Sequence, residues 1–251
     1  MPQETAFLSI ETCTAAGSVA VLRSPDTPTE KVIAHNAWVR SRSHAEAMTP
    51  AMEDAVKIAG GWSAINAIAV GIGPGSFTGI RVGLNAARTA AWSLGLPLIG
   101  IRSTDAILEG ARASGLVPND HLILAALNAQ MGLYFAAWTD SQTSPASSTE
   151  PAAFTPEALI AQLGMMKAKK TICLLGEAAD DLLPQLKSSG LSVTRPASDL
   201  DSPHALTIAR LAARTLAQGL ATSPSTIDRM FSWQSVQPLY IRGSGAEEKL
   251  R

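Results

Sequence analysis

The chain has 251 residues, 46% of them hydrophobic and 16% charged, with a formal net charge of −1. That length and hydrophobic content exclude a disordered chain and suffice for one large domain or two small lobes. The near-neutral charge excludes the basic footprint of a protein that grips a phosphate backbone unaided, and the scarcity of charge points to a face covered by another chain.

In chain order, the apolar runs Ala6–Ile10 and Gly17–Leu22 flank the polar stretch Glu11–Ala16 and predict a hairpin, with Val32–His35 as a third strand. His44–Ala59 sets Ala47, Met48, Ala51, Met52, Ala55, Val56 and Ala59 at helical spacing, with Glu53, Asp54 and Lys57 opposite. Gly60 and Gly61 end this helix. Ile65–Val70 reads as a buried strand that runs into a glycine-rich segment, Gly71–Gly79; a helix over Phe77–Leu94 and a strand over Pro97–Ile101 follow.

The pattern then restarts. Leu122–Leu127, the turn Asn128–Gly132 and Leu133–Trp138 repeat the design of the first hairpin. Helical and strand segments alternate after it: Pro156–Met165, Thr171–Leu175, Asp180–Ser188, Leu191–Thr194 and the long amphipathic helix Pro203–Gly219. Asp140–Glu150 is a Ser/Thr-rich loop and Ala221–Thr226 a linker to the tail. A duplicated unit of strands followed by alternating helices and strands predicts two α/β lobes. Their expected extents are 1–104, with 203–251 packing on it, and 105–202.

The segment Gly73-Pro-Gly-Ser-Phe-Thr-Gly-Ile-Arg-Val-Gly83 falls at a strand-to-helix junction, where free N–H groups and the helix dipole favour an anion. With Glu11 of the first hairpin, Gly73, Gly75, Ser76, Thr78 and Gly79 form a candidate nucleotide or anion site. The sharper motifs fail. No lysine stands between Gly71 and Ala91, which excludes a Walker A loop, and Ser76 interrupts the dinucleotide fingerprint. Pro74 occupies the place where a nucleophile elbow needs glycine, so Ser76 reads as a helix cap.

Gly79, Gly83, Ala87 and Ala91 recur every fourth residue and leave a stripe of small side chains along the second helix. A glycine inside a helix costs ~1 kcal/mol relative to alanine, so the stripe needs a packing reason. One reason is the chain's own sheet. The other is a partner helix, with His44, Met48 and Met52 of the first helix completing a docking face. Both remain open at this point.

In these segments the sequence resembles the TsaB (YeaZ) family. The resemblance rests on Leu8-Ser-Ile-Glu-Thr-Cys-Thr14, Ser43-His-Ala-Glu46, Ala67–Gly83, Gly95-Leu-Pro-Leu-Ile-Gly100 and Pro238-Leu-Tyr-Ile-Arg242. It implies an actin/sugar-kinase-like (ASKHA) α/β fold of two ribonuclease H-like lobes. It also implies a non-catalytic scaffold that supports a TsaD-like catalytic subunit, together with a TsaE-like ATPase. Such a complex transfers a threonylcarbamoyl group to the adenosine beside the anticodon in tRNAs that read codons beginning with A. On this reading tRNA is reached through the complex, ATP or ADP and a metal ion belong to the complex alone, and the first two helices form the docking face. A homodimer through that face is a further expectation.

The residues themselves argue against catalysis. Glu11 and Asn128 stand where the family usually has aspartates on its two hairpins, and a neutral amide is a weak magnesium ligand. The catalytic relative's His-x-x-x-His pair is broken here, because Met48 follows His44 at that spacing. His35, His121 and His204 show no ligand spacing, and Cys13 has no neighbouring base. No metal site and no catalytic residue are expected. The alternative class is a weak nucleotide-binding or phosphotransfer protein. Direct tRNA binding through Lys167–Lys170 is a third reading. Met1–Glu4 lacks a leader pattern and no apolar run reaches the ~18 residues of a membrane span, so a cytoplasmic location is expected.

Overall fold

The computed structural model describes residues 4–39, 44–141, 148–166, 170–196, 198–222 and 227–241. Ser43, residues 142–147, Lys167–Lys169, residues 223–226 and Arg242 from the segments named above lie outside the described residues.

Two five-stranded sheets organise the chain. The first has the order β3-β2-β1-β4-β5, built from β1 (Ala6–Glu11), β2 (Ala16–Arg23), β3 (Lys31–Val39), β4 (Ala67–Gly71) and β5 (Leu98–Ile101). β1 is antiparallel to β2 and parallel to β4. The second has the order β10-β9-β6-β7-β8, from β6 (Leu122–Gln130), β7 (Leu133–Asp140), β8 (Ala152–Phe154), β9 (Ile172–Leu175) and β10 (Val193–Thr194). Counted from β6, this is the same arrangement, with the same parallel and antiparallel pairings. Helices α1 (His44–Ala59) and α4 (Pro156–Gly164) join the third and fourth strands of each set. α2 (Phe77–Leu94) and α5 (Ala179–Ser188) join the fourth and fifth. The duplication expected from the hairpin patterns is therefore present as two ribonuclease H-like lobes in an actin/sugar-kinase-like fold.

Two compact units divide the chain: Met1–Ser103 with His204–Leu239, and Thr104–Pro203 with Tyr240–Arg251. The sequence predicts that 203–251 packs on the first lobe; of the described residues, Tyr240 and Ile241 group with the second instead, where Ile241 packs on an apolar cluster. The third helix of each lobe comes from the other half of the chain. α3 (Ser103–Ser114), passed over in the sequence, packs Ile107, Leu108 and Ala111 with Ile123 and Ala125 of β6. α6 (Ala205–Thr222) packs on β1, β2, β4 and β5, its start fixed by the Ala205 N–H donating to Ser18 Oγ at 2.9 Å.

In the first unit, Leu8, Ile10, Val19, Val21, Ile68 and Val70 form one core with Met48, Ala55, Val56, Leu84, Ala87 and Ala91 of α1 and α2. Alternation sends Phe7, Ala20, Leu22 and Ala67 to the opposite face, also buried. Cover on both faces is why β1 and β4 read as near-continuous apolar runs.

His35 of β3 meets His204 edge to face, ring centroids 6.3 Å apart. Burial, and then the charge of His204, lower its pKa from 6.5. A lowered histidine pKa means that the unfolded chain binds protons first, so this contribution is complete above the unfolded value and is lost as pH falls through it. The urea midpoint should accordingly drop between about pH 7.5 and about pH 5.5, and His35→Gln should reduce that drop.

Candidate functional site

The first hairpin and the start of α2 build one tightly bonded corner of the first unit. The Ser76 N–H donates to the Cys13 carbonyl at 2.6 Å, and Thr12 Oγ1 donates to the Gly79 carbonyl at 2.8 Å. Ser76 is the helix N-cap, its Oγ accepting from the Gly79 N–H at 3.3 Å. A Cβ on Gly75 would overlap the Cys13 carbonyl, and one on Gly79 the Thr12 carbonyl. At Gly73, whose φ is +98°, a side chain would meet Ile80 Cδ1 at 2.7 Å and the Leu239 carbonyl at 3.1 Å.

This corrects the anion-site reading of Glu11, Gly73, Gly75, Ser76, Thr78 and Gly79. Gly75 and Gly79 admit the chain's own hairpin, Gly73 admits Ile80 and the Leu239 carbonyl, and the N–H groups of Ser76 and Gly79 are taken by Cys13 and by the cap. Thr78 is exposed on the helix surface and joins no cluster with the others.

Glu11 is fully buried beneath Gly71. Its Oε1 accepts from the Cys13 N–H at 2.5 Å and its Oε2 from Ser103 Oγ at 3.1 Å. Burial raises its pKa, against the lowering effect of these bonds. Burial, and then the neighbouring Glu11, push the Cys13 thiol well above its ordinary value, which suits a structural rather than a nucleophilic cysteine.

The second hairpin is not the register equivalent of the first at Asn128. Ile10 and Val70 are the last pair of β1 with β4, and Ala125 and Leu175 the last pair of β6 with β9. The next residue is Glu11 in one sheet and Ala126 in the other. Asn128 lies two residues further out, exposed, and its Oδ1 accepts from the Gln130 N–H at 2.7 Å. Met131 and Gly132 both have positive φ, +53° and +75°, as a two-residue turn of this hairpin type requires.

The proposed docking residues also turn inward. Gly79, Gly83, Ala87 and Ala91 are buried, with Gly83 against Thr12 and Ile10, so the stripe packs on the chain's own sheet. His44 is buried, and its Nδ1 accepts from Trp38 Nε1 at 3.1 Å. Because indole is a donor only, this fixes Nε2 as the N–H that donates to the Thr14 carbonyl, at 2.8 Å. Met48 is buried and Met52 half-buried.

The side of the helix pair left uncovered lies one residue away on α2. Val82, Ala86 and Ala90 are half-buried with Ala51 and Met52 at the edge of the core, and α1 touches α2. Beyond them stand exposed Thr78, Arg81, Asn85, Thr89 and Trp92, and on α1 Glu46, Glu53, Asp54 and Lys57. The smallest residues of α2 thus face the chain's own sheet, and Trp92 at the end of the helix is 66% accessible.

Among the described residues no group of three or more His, Cys, Asp or Glu side chains could hold a metal ion, and no helix is long and apolar enough to cross a membrane. Cys173 is buried, which raises its pKa to about 11. Lys170, the described member of the basic cluster, pairs with Asp140 at 2.9 Å.

Comparison with known proteins places this architecture. The family model of TsaD, tRNA N6-adenosine threonylcarbamoyltransferase, matches residues 37–250. The tRNA threonylcarbamoyladenosine biosynthesis protein TsaB of Escherichia coli is 33% identical over 135 residues, 53% of this chain and 54% of that protein. A Streptococcus pneumoniae tRNA N6-adenosine threonylcarbamoyltransferase is 37% identical over 119 residues, 43% of this chain and 35% of that one. The aligned segment thus spans about half the length, or less, of these curated relatives. The solved structure of YeaZ from Pseudomonas aeruginosa superposes with a TM-score of 0.70 at 21% identity, covering 94% of this chain and 99% of that one, which shows a shared fold. By the match over most of its length the chain belongs to the TsaD family, and within it resembles the TsaB (YeaZ) proteins.

Proposed function

We propose that this chain is a non-catalytic subunit in tRNA threonylcarbamoyladenosine biosynthesis, docking a TsaD-like catalytic chain on the outward side of α1 and α2. The observation that carries this reading is the seam of Met52, Val82, Ala86 and Ala90, half-buried and apolar at the edge of the core. Interfaces place such adaptable apolar residues at their centre with aromatic anchors and a polar rim. The bonded corner around Glu11 supports the same reading, since its carboxylate is engaged by Cys13 and Ser103 inside the fold. A TsaE-like ATPase and the tRNA join through the catalytic chain, and any nucleotide or metal is held there.

The test is Ala86→Arg. Ala86 is half-buried at the edge of the core, so the variant is first checked by its thermal midpoint, and the folded variant should lose co-purification with the TsaD-like protein of the same genome. The isolated chain should transfer no threonylcarbamoyl group to tRNA. Undiminished co-purification by Ala86→Arg, or transfer by the chain alone, would refute the reading.

A further inference from the structure

One imidazole holds the start of α1 from two sides. Gly17 of β2 stands opposite Trp38 of β3 in the register, and a Cβ there would overlap the indole, so the glycine makes the space in which Trp38 lies. From that space the indole N–H donates to His44 Nδ1, and His44 Nε2 donates to the Thr14 carbonyl of the first hairpin. His44 is 6% exposed, and Thr14 is buried. A second tie from β3 to α1 carries no titrating group: Asn36 Nδ2 donates to the Ala51 carbonyl at 3.2 Å. His44, Met48 and Met52 follow one another at spacings of four, so the ring that fixes the helix start lies in line with the methionine of the docking seam.

The arrangement accepts only the neutral ring. A proton on Nδ1 would set a second N–H against the indole N–H, which has no lone pair to offer. It would also place a buried positive charge at the first residue of a helix, where the dipole is already positive. Of the titratable and charged groups on the surrounding elements, Glu11 is bonded to Cys13 and Ser103, and the Cys13 thiol is buried. His35 lies on the opposite face of β3, against His204, and Arg81 of α2 lies over the Phe77 ring. Glu46, Glu53, Asp54 and Lys57 of α1 are exposed, and Arg23 and Lys31 pair at the far end of β2 and β3.

We propose that Trp38, His44 and Thr14 form a pH-sensitive tether, which holds the start of α1 and the docking seam in place while His44 is neutral and releases them when it is protonated. The inference rests on the docking reading and adds its regulation. The free chain can let the helix start go and take up the proton, whereas a chain with a partner seated on Met52 cannot, so binding and protonation oppose each other. The tether is therefore complete at high pH and lost as pH falls.

Two measurements on the full chain test it. In NMR spectra with isotope-labelled tryptophan, the Trp38 indole N–H resonance, identified by its loss in Trp38→Phe, should move between about pH 7.5 and about pH 5.5 and stay fixed in His44→Gln. A resonance that stays fixed in the wild type overturns the tether. By calorimetry, affinity for the TsaD-like protein of the same genome should fall about fivefold more over that range in the wild type than in His44→Gln. His35→Gln, which removes the histidine on the other face of β3, should keep the wild-type dependence. Equal pH dependence in the wild type and His44→Gln, with binding lost in Ala86→Arg, leaves the docking face standing and overturns the proposal. Undiminished binding by Ala86→Arg removes the docking face, and with it the role of the tether in binding. Should His44→Gln fail to fold, Trp38→Phe takes its place: without the indole donor Nδ1 can accept the proton in either state, and an undiminished pH dependence of its binding overturns the proposal.

Discussion

Gly79→Ala should destabilise the chain by about 3 kcal/mol, a fall in Tm of about 10 °C, although alanine is normally the better helix former. Glycine-to-alanine inside a helix ordinarily gains ~1 kcal/mol. Here the added carbon would overlap the Thr12 carbonyl oxygen, and backbone cannot swing away as a side chain can. Gly83 makes an instructive contrast, because its obstacle is the Thr12 hydroxyl. Gly83→Ala should cost about 2 kcal/mol. Thr12→Ala should cost about 1 kcal/mol for the 2.8 Å bond to the Gly79 carbonyl. The double variant Thr12→Ala/Gly83→Ala should be more stable than the sum by about 1–2 kcal/mol, the mark of a shared collision. Pairing Thr12→Ala with Gly79→Ala should give no such relief. Urea denaturation of the five proteins and wild type decides it, and strict additivity at Gly83 would contradict this packing.

Glu11 should show the second large effect. Removing its carboxyl in Glu11→Ala leaves the Cys13 N–H and the Ser103 hydroxyl unpaired in a dry site and opens a cavity, a loss of about 3–4 kcal/mol. Glutamine keeps both partners: its carbonyl accepts from Cys13, and its amide donates to a rotated Ser103 hydroxyl. Because burial raises the Glu11 pKa, the folded chain holds its proton to higher pH than the unfolded chain. Stability from this group is therefore greatest at low pH and is lost as pH rises from the unfolded value of 4.5 through the raised one. Glu11→Gln should match wild type at about pH 4, exceed it at about pH 8, and flatten the pH profile between. A variant weaker than wild type at the higher pH would mean that the bonds from Cys13 and Ser103 outweigh desolvation.

Much of the first lobe is legible because its punctuation is local. Gly60 and Gly61 stop α1, and Gly95, at φ +65°, closes α2, so both helices have the bounds that periodicity predicts. Two kinds of fact were not local. The small-residue stripe satisfies a sheet and a partner helix equally well in one dimension, and only the position of Thr12 and Ile10 behind Gly79 and Gly83 separates them. The hairpins align by their turns in sequence, yet in the sheets the register is set by β4 and β9, which carries Asn128 away from the place of Glu11. α3 was missed for a related reason. Its apolar residues Ile107, Leu108 and Ala111 are few, and the sheet they cover belongs to the later half of the chain.

That exchange of helices has a consequence during synthesis. β1, β2, β4 and β5 all leave the ribosome by residue 101, but α6, which covers one of their faces, ends at Thr222. At about 5–20 residues per second the nascent sheet waits on the order of ten seconds with that apolar face bare. A chaperone captured on stalled chains of intermediate length, and released once α6 has emerged, is the expected sign of this delay.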